Sequence, residues 1–233
     1  MGSCHSQSIE NNIILINTGP YNKGTIAKLI SKVNAFNPKV ISLDIAFPYY
    51  DGSNDDINLS TTLDRCNNLV MATTIESDES GVYFALTSSG QFTPVNKKTG
   101  FVSAQVEKDQ VEIPKQFMVW QKDFNGDIEY HFSIRTAMSF DSLKTMSFLK
   151  NNPQTVDVNY KNGKRKFKTF SASDVLNGKL TKKDIEGKIV MLGFLGPGDQ
   201  DKFFTPFNIN PNEPDMYGLE YLANIVAQVL ESK

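Results

Sequence analysis

Lys188-Ile189-Val190-Met191-Leu192-Gly193 decides the fold of this chain, because four consecutive apolar residues leave no polar face to turn to water. It reads as a strand covered on both sides, apolar on both faces as a central strand of a parallel sheet with helices on each face must be. Gly193 and the following Phe194-Leu195-Gly196-Pro197-Gly198-Asp199-Gln200-Asp201 form a loop at the strand's carboxyl end. On the far side of that loop, Leu219, Leu222, Val226, Val229 and Leu230 repeat at helical spacing and predict a final amphipathic helix.

The beginning of the chain repeats the logic. Ile13 to Ile16 is a short apolar run, Asn17-Thr18-Gly19-Pro20 is rich in turn formers, and Ile26, Leu29, Ile30 and Val33 follow at helical spacing. Pro38 stops that helix, and Val40 to Leu43 gives a second strand that ends at Asp44. The unit is βαβ, so its strands are expected to be parallel. Asp55 and Asp56 open a short helix carrying Leu59 and Leu63, and Asn68 to Thr74 gives a third strand. From about Glu76 to Glu129 short β-like pieces near Val82 to Leu86, Phe101 to Val106 and Phe117 to Trp120 predict an irregular β-rich insertion. A helix is expected from Ser133 to Leu149. After it, Val156, Val158 and Tyr160 lead to Asn162-Gly163 and back through Phe167 to Phe170, a late β-hairpin. Ser173 is placed to cap a short helix ending before Gly178. The expected class is therefore α/β, with a mainly parallel central sheet flanked by helices. Residues 13–233 read as one domain behind a polar leader or cloning scar at 1–12.

Composition narrows the function classes. The 233 residues carry 24 Lys and Arg against 26 Asp and Glu, a net charge of −2, so no concentrated basic excess is available to neutralise nucleic-acid phosphate. The longest apolar run falls far short of the roughly 18 residues of a bilayer span. The leader MGSCHSQSIENN has no apolar core of a signal peptide, although Gly2 and Ser6 with Cys4 fit an acylation pattern that a cloning scar also fits. Cys4 and Cys66 make no metal spacing and no disulfide framework. There is no Gly-x-Ser-x-Gly, His-Glu-x-x-His or paired-cysteine motif. His5 lies in the leader, and His131 between Tyr130 and Phe132 reads as a packed or solvated ring.

The candidate site lies at the carboxyl ends of the strands, where open α/β sheets bind ligands. Asp44 ends one strand, and Asp201 with Thr205-Pro206 stands on the loop after another. Gly193 and Gly196 are a weak phosphate-cradle candidate, since Pro197 removes a donor and no Lys-Ser or Lys-Thr comes next. Each has a plain structural alternative: an acid capping a loop, glycines allowing positive φ, and Asp201 bracing the Thr205-Pro206 turn. Lys161, Lys164, Arg165, Lys166 and Lys168 form the one basic cluster, a solvated surface or a patch facing anionic lipid.

The order of motifs resembles a type-two CHASE domain. The resemblance rests on Lys39 to Phe47, Asp55-Asp56 with Leu59 and Leu63, Asn68 to Ala72, Gly100-Phe101-Val102 and Val158-Asn159-Tyr160. It continues through Phe170 to Leu176 with Gly178, Gly187 to Gly193, Asp201 with Thr205-Pro206, and Gly218-Leu219-Glu220 with Ala223-Asn224. Two departures stand out: Pro20-Tyr21-Asn22-Lys23 replaces a Trp-Pro-Arg-like stretch, and Leu222 occupies the place of a family histidine. The resemblance implies an extracytoplasmic, non-catalytic sensory module of a bacterial receptor, on the periplasmic or extracellular face of the membrane. Transmembrane helices outside this chain would anchor it, and its partners would be an unknown small-molecule ligand and, as a possibility, a second copy. Ligand binding is expected at Asp44, Asp201, Thr205, Gly193 and Gly196, with no cofactor and no metal. The alternatives are a metal-assisted hydrolase using Asp44, Asp55, Asp56 and Asp201, and a structural dimerisation module.

Overall fold

The computed structural model describes residues 8–20, 22–77, 83–86, 88–93, 98–102, 113–123, 125–160, 165–198 and 201–232, giving only the backbone for 74–77 and 83–86. The first unit runs β1 (Ile13–Asn17), α1 (Lys23–Asn34) and β2 (Val40–Leu43). Asn22 starts α1 by accepting the N–H of Thr25 at 2.9 Å, and the Ile26, Leu29, Ile30 and Val33 stripe is buried. Next come α2 (Asn54–Asp64), capped by Ser53, and β3 (Leu69–Ser77), β4 (Tyr83–Leu86) and β5 (Lys98–Val102). Three short strands succeed them, β6 (Gln116–Met118), β7 (Trp120–Lys122) and β8 (Ile128–Tyr130). The middle of the chain is α3 (Phe132–Phe140), α4 (Ser142–Asn151), β9 (Thr155–Asp157) and β10 (Lys168–Ser171). The last part is α5 (Ala172–Leu176), α6 (Lys182–Ile185), β11 (Ile189–Gly193), β12 (Lys202–Phe203), β13 (Met216–Tyr217) and α7 (Gly218–Glu231).

Six parallel strands form the central sheet in the order β10, β1, β11, β2, β3, β5, and β4 adds antiparallel to the end of β3. The α/β class and the parallel sheet are as the hydrophobic runs require. The Ile189 strand sits between β1 and β2, and its side chains alternate between two cores. Ile189 and Met191 join Ile13, Leu15, Val40 and Val70 under α3, α4 and α7; Val190 and Leu192 join Ile14, Ile16, Ile41 and Leu43 under α1, α2, α5 and α6. Each such fully buried aliphatic side chain contributes about 1.5–3 kcal/mol by leaving water. The polar pair Ser42 and Thr136 is admitted to the interior because their hydroxyls bond each other at 2.8 Å.

Four expectations need correction. The Ser133–Leu149 helix is two helices, because Asp141 leaves helical geometry and its carboxylate takes the N–H of Lys144 at 3.0 Å, capping α4. The short helix α5 is capped by Ser171, in a reciprocal capping box with Asp174, rather than by Ser173. The late hairpin does not pair with itself. Its turn, Asn162-Gly163, lies outside the described residues, while β9 pairs antiparallel with β6 and β10 pairs parallel with β1. Val156 packs into one core and Phe170 into the other, so the two strands belong to different layers. Finally, the 76–129 insertion is not wholly apart from the sheet, since β4 and β5 extend it; Val82 and residues 103–106 lie outside the described residues.

Candidate functional site

Three parallel strands, β1, β11 and β2, end side by side, and the segments leaving them build the sheet's carboxyl edge. From β1 and β2 the chain continues to α1 and α2 on one face, whereas from β11 it continues to α7 on the other. Neighbouring strands whose chains leave to opposite faces open a crevice between them. Asp44 stands at its start, its N–H donating to the Leu192 carbonyl at 2.8 Å, so the first residue beyond β2 is still tied to β11.

The loop after β11 is organised by a residue that sequence reasoning did not single out. The Asn17 side-chain oxygen accepts the N–H groups of Gly19 and Leu195, both at 3.0 Å, and its amide donates to the Gly196 carbonyl at 3.1 Å. Thr18 completes the tie through its hydroxyl to the Gly193 carbonyl at 3.1 Å. A Cβ on Gly193 would stand 3.1 Å from Leu219 and 3.3 Å from Asp44, tight contacts that favour glycine. Gly196 has φ of 99°, and a Cβ there would come within 2.5 Å of the Tyr217 hydroxyl. Both glycines therefore shape the backbone against neighbouring side chains.

The loop returns to the crevice at Asp201, in the left-handed region with φ of 60°, which aspartate tolerates better than most residues. The Asp201 carbonyl accepts the N–H of Gly218 at 2.7 Å, and both carboxylate oxygens lie 2.5 Å from where a Gly218 Cβ would be. Absence of a side chain at Gly218 lets this acid rest against the start of α7, where the helix dipole favours negative charge.

Asp44 and Asp201 line one cavity of about 270 Å³ with Val102, Phe203, Gly218, Tyr221 and Leu222. Burial pushes the Asp44 carboxyl up to about 7, and the charge of Asp201 adds to the shift. Burial raises Asp201 as well, but that side chain is the more open to water of the two and keeps its charge more readily. Near neutral pH the Asp44 carboxyl is therefore only partly ionised, and the two acids titrate as a coupled pair. Asp44 also borders a second cavity of about 380 Å³, lined among others by Thr18, Lys23, Phe47 and Phe194.

The remaining expected residues are placed elsewhere. Thr205 is buried, with its hydroxyl and N–H both given to the Asp215 carboxylate at 2.9 and 2.8 Å, a brace across the β12–β13 turn outside the cavity lining. Asp56 is buried and, against the burial that would raise it, held at about 2 by Lys23 at 2.6 Å and the N–H of Asp51. Asp55 lies over Gly24 of α1. The four-carboxylate cluster of the hydrolase alternative is thus not assembled, and among the described residues no three His, Cys, Asp or Glu side chains group to hold a metal. His131 is fully buried between the Phe101 and Phe117 rings and accepts the Ser133 N–H at the start of α3. Cys66 is buried in the core. Of the basic cluster, Lys161 and Lys164 lie outside the described residues, as do Gly2, Cys4, His5 and Ser6. Lys168 pairs with Asp184. Arg165 has left the surface altogether: its side chain is 2% exposed and forks onto Glu231 of α7 at 3.0 and 2.9 Å, with Glu10 and Asn224 as further partners.

Fold and crevice together define an open-sheet α/β domain of three layers. The chain belongs to the CHASE2 domain family, which it matches over residues 5–233. That family consists of extracellular sensory domains of signalling receptors and is generally non-catalytic. No curated protein and no solved structure matches the chain. Among the described residues, no helix is long and apolar enough to cross a membrane.

Proposed function

We propose that this chain is the extracytoplasmic ligand-sensing module of a membrane-bound bacterial receptor, and that its ligand enters the cavity between β2 and α7. The observation that carries the reading is the meeting of Asp44 and Asp201, far apart in sequence, in one partly apolar cavity at the crevice of the sheet. The family supplies the sensory role, and the receptor's membrane attachment would lie outside these residues. α7 gives a ligand a route to the rest of the domain. Its first residue touches Asp201, and its last residue, roughly 20 Å away, is clamped by Arg165. In the native cell, protease added to spheroplasts is expected to cleave the domain, and Asp201→Asn is expected to abolish the receptor's response while the domain melts normally. A protected, cytoplasmic domain, or an unchanged response, would refute the proposal.

A further inference from the structure

We propose that the ligand of this cavity is a small organic ammonium ion, its charged head between Asp44 and Asp201 and its apolar body against Val102, Phe203, Tyr221 and Leu222. The inference rests on the cavity being the sensing site. Two acids and a mostly hydrocarbon wall are an unusual pairing, and each half selects against a class of ligand.

Among the described residues the acids have no counterion. Neither carboxylate accepts a hydrogen bond from a described residue, and nothing in its surroundings lowers the Asp44 carboxyl. Lys23, across the second cavity, is bound to Asp56 and to the Tyr49 carbonyl. The Lys202 ammonium stands over the Tyr217 ring at 4.8 Å, and the Glu220 carboxylate accepts the Tyr217 N–H at 3.0 Å. Two neighbouring carboxylates lining a partly apolar cavity repel each other once ionised, which a bound cation relieves, whereas an anionic ligand adds to the repulsion and a neutral one leaves it in place.

The wall selects among cations. A hard divalent ion needs six or more oxygen ligands, and the lining offers two carboxylates amid Val102, Phe203, Tyr221 and Leu222. An ammonium head needs two or three acceptors, and the tilted Phe203–Tyr221 ring pair in the lining, centroids 5.7 Å apart, adds aromatic surface of the kind that tolerates a cation. The 270 Å³ of space equals the share of about nine water molecules, room for a ligand of about seven to ten non-hydrogen atoms.

Calorimetric titration of the 233-residue chain at about pH 8, where the pair is ionised, tests this with n-hexylamine, hexan-1-ol, hexanoate and calcium chloride. Only the amine is expected to bind saturably, at one site. Asp44→Asn should weaken it at least about tenfold. Val102→Trp, which fills the cavity without changing its charge, should abolish binding; circular dichroism and a cooperative melt establish that both variants fold. Hexanol or hexanoate binding as tightly as the amine, with Val102→Trp blocking it, would overturn the ammonium inference and leave the cavity as the site. Calcium displacing the amine would overturn it in favour of a metal. Amine binding that survives Val102→Trp, or no saturable binding by the amine, would overturn it, and the first of these would remove the cavity as the site as well.

Discussion

Replacing Asp44 by Asn should flatten the dependence of stability on pH and stabilise the domain in alkaline solution. The free carboxyl titrates at 3.8 and the folded one at about 7, a gap of roughly three units worth about 1.4 kcal/mol each, so the ceiling is about 4 kcal/mol. The sign comes from proton uptake: the folded state holds its proton more tightly, so its advantage is complete below 3.8 and is lost as pH rises through 7. Water entering the cavity screens part of this, and between pH 5 and 8 the expected loss is about 1–2 kcal/mol. Asp56 and Asp184 are held at about 2 and Asp174 lower still, so their stabilisation is present above 3.8 and does not change across that window. Groups remote from Asp44 are common to both proteins and cancel in their difference, which leaves Asp44 and the part of the Asp201 titration that Asp44 perturbs. Urea unfolding at pH 5, 6, 7 and 8 measures it. If wild type and Asp44→Asn show parallel profiles, Asp44 is an ordinary solvated acid and the account of the cavity's electrostatics fails.

Three further outcomes depend on single contacts. Val190→Asp puts a charge at a fully buried position between Ile14 and Ile41 and should cost more than about 4 kcal/mol, so a cooperative melt near the wild-type temperature would contradict the central place of β11. Arg165→Met leaves Glu10 and Glu231 without their shared partner and should cost about 3–5 kcal/mol in chemical denaturation; a loss below about 1 kcal/mol would mean that both acids reach water in the folded state. Gly218→Ala should cost about 1–3 kcal/mol by pushing the Asp201 carboxylate aside, but much less when Asp201 is Gly, which fits the same backbone; an additive double-mutant cycle would show that the two do not touch.

The parallel sheet was legible because its information is local. A run such as Ile189 to Leu192 declares burial on both faces without reference to any other segment, and Ile13 to Ile16 and Val40 to Leu43 do the same. What was misread depended on competition between partners. Asn162-Gly163 is a good turn, but the strands around it have stronger claims elsewhere: Phe170 faces the α1 side of the sheet and Val156 the α7 side. Asp141 sits inside a stretch whose apolar spacing continues through it, and only its capping bond to Lys144 shows that the helix ends and restarts there. The signal was present, an Asp-Ser pair just after Phe140, and periodicity outweighed it.

The site divides along the same line. Asp44 and Asp201 could be placed at one edge because each comes after a strand whose direction is fixed by the sheet, so topology alone brings them near. Topology could not tell Asp201 from Thr205, four residues on, because that depends on which acid the hydroxyl finds. Asp215 lies across the turn and takes both its hydroxyl and its N–H, while Asp201 has no such donor among the described residues and lines the crevice. Nor could it find Asn17, whose amide makes two bonds to the loop after β11 and one to Gly19 in its own loop, or Arg165, which a charge count assigns to the surface and the fold assigns to Glu231 and Glu10. A polar side chain's role is set by the partner left for it once the backbone has closed. In this domain Asp56, Asp174 and Asp215, whose donors were supplied, have become braces, and Asp44 and Asp201, which accept no hydrogen bond among the described residues, line the cavity.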